Sequence, residues 1–157
     1  MNIKLLSILL LLPLYLGANT LDPGKEVVGK LSGTIIYASE TPTPAAHNLP
    51  EEAHLDTSGW EQKWGFKHYR RIGNDTQAIY RSYENWLKPI KGSDQIMLSY
   101  SVVKPTDDGY EIDLSFWQEQ RKVFRTTSLI LEEKKPLIIL GPKWRDGQLL
   151  FAIELKD

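Results

Sequence analysis

Few residues in this chain have the types and spacing that catalysis needs. The three histidines, His47, His54 and His68, invite a metal reading, because Glu51 and His54 would share a helical face with His47 just before it. A zinc centre needs three or four ligands converging tetrahedrally. The spacing here matches no His-Glu-x-x-His pattern, and His68 falls in a strand-like stretch, so no metal is assigned and solvated histidines are expected. Nucleophilic hydrolysis requires an activated serine or cysteine beside a base. The chain has no cysteine, and none of its serines stands in a Gly-x-Ser-x-Gly elbow. Adjacent carboxylates such as Glu51-Glu52, Asp107-Asp108 and Glu132-Glu133 mark turns or wet faces, and no glycine-rich loop has phosphate-cradling spacing. No catalytic residue and no cofactor is therefore expected. A hydrolase reading requires a pocket that gathers at least two of Glu51, His54, His68 and Asp113.

Binding chemistry has more to offer. Five tryptophans accompany a set of tyrosines, and a flat aromatic face stacks on the apolar side of a ligand while its polar edge stays wet. Trp60 and Trp64 recur at helical spacing and read as packing residues. Trp117 follows Phe116 and so points away from the apolar set of its strand; Trp86 lies near Tyr83; Trp144 falls in the connection Gly141 to Gly147. Exposed together, Trp86, Trp117 and Trp144 would form a stacking platform for a glycan, the competing reading being a small cluster packed under a loop. The densest cationic run is Lys67-His68-Tyr69-Arg70-Arg71. Strand alternation sends Lys67, Tyr69 and Arg71 to one side, either as a surface for an acidic partner or as cations that guard an exposed sheet edge.

The elements that must position these groups are mostly strands. Val27 to Ala38 is rich in β-branched residues, and a proline-rich link over 41–50 follows. One helical segment is expected to begin near Pro50, where proline suits the first turn and Glu51 and Glu52 complement the helix dipole, and to run toward Trp64, broken near Asp56 to Gly59. From Phe66 the apolar period becomes two: strands are expected at 66–72, 77–87, 95–103, 110–118, 122–131, 136–140 and 148–155, separated by turns at 73–75, 91–94, 106–109 and 145–147. Ile96, Leu98, Tyr100 and Val102 share one face, as do Tyr110, Ile112, Leu114 and Phe116, and again Leu149, Phe151, Ile153 and Leu155. The fold class expected is α+β: a mainly antiparallel, meander-like sheet of six to eight strands, with the tryptophan-bearing helix as lid on its apolar face. A β-sandwich is the alternative.

Residues 1–18 combine Lys4, an apolar run from Leu5 to Leu16, and the small residues Gly17 and Ala18. That order is a secretory signal, and its apolar run of about 12 residues falls short of the roughly 20 that span a bilayer as a helix. Residues 19–25 are then a short lead and 26–157 a single sheet-rich domain. The mature chain carries 18 basic and 20 acidic side chains, Lys4 being the only charge lost with the signal. This balance argues against a nucleic-acid binder. Small exported domains of eukaryotes commonly lean on disulfides, so a bacterial periplasm or cell envelope is the expected compartment. The function expected is non-catalytic binding of an envelope protein through a strand edge or an aromatic face. The alternatives are a carbohydrate-binding module and a small hydrolase.

Overall fold

The computed structural model of the protein describes residues 22–42 and 57–156. The signal, the start of the expected helix, and His47, Glu51 and His54 lie outside them. A short 3-10 turn, Pro23–Lys25, opens the described chain; the Asp22 carboxylate accepts from the Gly24 N–H at 2.9 Å. The strands are β1 (Val27–Ser39), β2 (His68–Tyr80), β3 (Asn85–Leu87), β4 (Ile96–Thr106), β5 (Gly109–Gln118), β6 (Arg121–Glu132), β7 (Leu137–Trp144) and β8 (Gly147–Lys156); the helix is α1 (Trp60–Trp64).

All named strand pairs are antiparallel and fall into two four-stranded sheets, ordered β2-β1-β8-β7 and β3-β4-β5-β6. Within the sheets β1 pairs with β2, β3 through β6 pair in chain order, β7 pairs with β8, and β8 returns beside β1. The result is a meander wound into a flattened barrel, interrupted between β2 and β3 and between β6 and β7. The mainly antiparallel fold with one helical segment is thus present, with eight strands among the described residues.

The predicted inward faces are correct. Ile96, Leu98, Tyr100, Ile112, Leu114, Phe116, Leu149, Phe151 and Ile153 are buried together with Leu31, Ile35 and Tyr37 of β1. Phe116 of one sheet meets Phe151 of the other with ring centroids 5.0 Å apart. Each fully buried large apolar side chain contributes about 1.5–3 kcal/mol, so packing can replace the missing disulfides.

The expected lid needs correction. What covers the apolar face of each sheet is the other sheet, in the manner of the sandwich alternative, the inward side chains of both forming one buried cluster. The five-residue α1 instead lies on the outer face of the first sheet, where Trp60 and Trp64 pack with Ile36, Ala38, Leu150 and Tyr69.

Two turn assignments also change. Gly73-Asn74-Asp75 is interior to β2, not a turn. A Cβ on Gly73 would stand 2.3 Å from the Pro89 carbonyl oxygen, so the glycine allows close approach of two chain segments. Asp75 secures the same junction by accepting from the Lys88 N–H at 2.9 Å. The chain turns at 81–84 instead. Likewise β7 runs on through Gly141 and Pro142 past a register shift to Trp144, where a loop was expected.

Candidate binding face

The outer face of the second sheet gathers the most chemistry. Antiparallel register places Trp86 opposite Ser99, Ser99 opposite Ser115, and Ser115 opposite Arg125. The next row contains Met97, Trp117 and Lys122. The row on the other side holds Ser101 and Asp113, with Glu84 immediately before β3. Strand alternation explains the positions on β3, β4 and β5, which alternate with the core residues Leu87, Leu98, Tyr100, Leu114 and Phe116, while a register shift between Phe116 and Trp117 turns both Lys122 and Arg125 of β6 to the same face.

Trp86 and Trp117 meet across β4, ring centroids 5.3 Å apart and planes inclined at 46°. The Trp117 indole N–H donates to Ser99 Oγ at 2.9 Å, which fixes the ring against the sheet and buries Ser99 beneath it. The Lys122 ammonium stands 4.9 Å from the Trp117 ring centroid, a cation–π contact. Arg125 donates to Asp113 at 2.6 Å, and Asp113 also accepts from the Ser128 N–H at 3.2 Å. The Arg125 hydrogen bond holds the Asp113 carboxyl below its usual value of 3.8. Beside the tryptophans lies a small cleft of about 120 Å³, walled by Glu84, Ser99, Ser101, Asp113, Ser115, Lys122 and Arg125. Hydroxyls, a carboxylate, an ammonium and a guanidinium therefore surround an aromatic pair.

The other candidates disperse. Trp144 belongs to the first sheet: it packs edge-on against Tyr37 at 5.8 Å and carries Arg145 over its ring at 4.3 Å. The expected trio is thus a pair, because β7 and β5 lie in different sheets. Of the cationic run, Tyr69 and Arg71 do share a face, opposite Ala38 and Ile36. That face is the one covered by α1, with the Trp60 ring edge-on to Tyr69 at 5.3 Å. Tyr69 is a packing residue, burial raising its pKa, while Lys67 is exposed just before β2. The run therefore forms no continuous charged surface, although β2 is an edge strand of its sheet. His68 on β2 and Asp113 on β5 sit in different sheets, and among the described residues no three metal-ligating side chains come together.

Larger grooves, about 540 and 260 Å³, lie at the end of the barrel where β1 begins, both walled by Val28 and Tyr110. Tyr110 donates its hydroxyl to the Val28 carbonyl there at 2.6 Å, tying one sheet to the other. Cations of these walls are already paired, Arg81 with Glu26, Lys104 with Glu111 and Lys156 with Glu154. Sequence reasoning missed Ser99, Ser101, Ser115, Lys122 and Arg125. Alternation alone would have put Ser99, Ser101 and Ser115 on outward faces, but it separates Lys122 from Arg125, and only the register shift in the β5–β6 pairing between Phe116 and Trp117 brings both beside Trp117.

Comparison of the chain with family models, with curated proteins and with solved structures yields no match.

Proposed function

We propose that the protein is an exported, non-catalytic binding module of a bacterial periplasm or cell envelope, and that its ligand is a glycan held on the outer face of the second sheet. The observation that carries this reading is the Trp86–Trp117 pair beside the polar cleft. Pyranose rings present apolar C–H faces to aromatic rings and hydroxyls to planar polar side chains, and both kinds of partner stand together here. The charged groups suit binding rather than reaction: Asp113 is held ionised by Arg125 and is a hydrogen-bond acceptor, not a proton donor, near neutrality. Titrating an oligosaccharide panel against the mature chain should shift its tryptophan fluorescence, and Trp86→Ala and Trp117→Ala should each weaken binding at least tenfold while the fold is retained. Absence of a shift across neutral and acidic oligosaccharides overturns the reading.

A second reading, an envelope protein as partner, is favoured by the open seam. Strands β6 and β7 each end a sheet, and Val123, Ile130 and Leu140 are exposed on them. Backbone groups at such edges pair with an added strand. Crosslinking from Val123 or Leu140 to an envelope protein, with no glycan response, would decide for it.

A further inference from the structure

We propose that the tryptophan face selects a glycan in which an acidic sugar, bearing a carboxylate, alternates with a neutral one; this rests on the glycan reading above. Charge is distributed unevenly across the face. Its β6 side carries Lys122 and Arg125, with Arg121 and the acidic Glu119 at the adjoining hairpin, whereas its β3 side carries Glu84. Between them Asp113 is satisfied by Arg125, 2.6 Å away. Lys122 has no carboxylate partner among the described residues; its ammonium is kept over the Trp117 ring. An acidic sugar on the β6 half of the face, beside Trp117, meets that ammonium and the Arg125 guanidinium, a fork that matches a carboxylate, and leaves Trp86 on β3 for the next unit.

The far side imposes the alternation. β3 and β6 stand three strand spacings apart, about 14 Å, which accommodates a disaccharide. Its second unit lies against Glu84, whose carboxylate accepts hydroxyl protons and repels another carboxylate. A polymer acidic at every residue is disfavoured there, and a wholly neutral one leaves Lys122 without a counter-charge.

The test is calorimetric and fluorimetric titration of the mature chain with three probes of matched length: hyaluronate oligosaccharides, which alternate glucuronate with a neutral amino sugar, oligogalacturonate, and cello-oligosaccharide. Expected is at least tenfold tighter binding of the alternating probe than of either other, weakening as sodium chloride rises. Lys122→Gln should remove that preference and Lys122→Arg restore it, while Glu84→Gln should raise affinity for oligogalacturonate severalfold. Equal or tighter binding of the neutral probe, unaffected by Lys122→Gln, overturns this inference and leaves the glycan reading standing. Binding of none of the three, together with no response across a wider glycan panel, overturns both.

Discussion

Gly73 and Asp75 show how single residues hold the barrel closed at its β2–β3 interruption. Gly73 is where backbone meets backbone, and Asp75 caps the amide of Lys88 on the far side of the gap. Replacing Gly73 with alanine forces Pro89 or β2 to move; overpacking of this kind costs about 1–3 kcal/mol. Urea denaturation should show that loss, with an unchanged slope if the fold is otherwise kept. Asp113 behaves differently. Its pKa is lowered first by the Arg125 hydrogen bond, so its contribution to stability is present above pH 3.8 and disappears as the pH falls through the depressed folded value. Thermal denaturation between pH 5 and pH 2 should therefore lose part of its acid slope in Asp113→Asn. Since the Arg125 side chain is 55% exposed, salt should shrink the effect.

At the scale of elements, the β7–β8 hairpin is locked to β1 by one side chain. Tyr37, buried on β1, donates its hydroxyl to the Asp146 carboxylate in the turn between β7 and β8. Gly147, the next residue, has no room for a Cβ beside the Ala38 carbonyl oxygen and the Tyr37 ring. Burial, then the Asp146 bond, pushes the Tyr37 phenol up from 10.0 to about 12. An unfolded tyrosine ionises at the lower value, so the stabilisation is complete below pH 10 and is lost as the pH rises toward 12. Alkaline unfolding followed by circular dichroism should show this limb, and Tyr37→Phe should flatten it, although the lost hydrogen bond lowers stability at neutral pH. The hairpin joining β5 to β6 is set differently: Glu119 and Gln120 occupy the left-handed region at φ 48° and 64°. That geometry suits a two-residue connection, and it delivers Lys122 back beside Trp117.

For the molecule as a whole, stability depends on two sheets that each bury what the other leaves exposed. Phe116 sits at the centre of this interface, stacked on Phe124 of β6 at 5.6 Å and tilted against Phe151 of β8 at 5.0 Å. Truncating either Phe116 or Phe151 to alanine should cost about 3–5 kcal/mol. A double-mutant cycle should return a coupling of about 0.5–1.5 kcal/mol, the range for aromatic pairs in contact. Zero coupling would mean that the sheets do not meet there. Because the inward side chains of both sheets form one buried cluster, ligand chemistry is displaced outward, to the face carrying Trp86 and Trp117 and to the grooves at the barrel's end.

Alternation by itself determined which side of β4, β5 and β8 is oily. It sorted Leu98 from Met97, Leu114 from Asp113 and Phe116 from Trp117 before any contact was known, because successive side chains on a strand must point opposite ways. That rule is local, and it is silent on which strands become neighbours. Only the tertiary structure decided that Trp86 meets Trp117 over Ser99 while Trp144 turns toward Tyr37 in the other sheet. It also decided that Gly73 is a point of close approach, and that a second sheet rather than α1 covers the core. Each of these outcomes depends on partners distant in the chain, brought together by the packing of whole faces, and no spacing of residues along one strand encodes them.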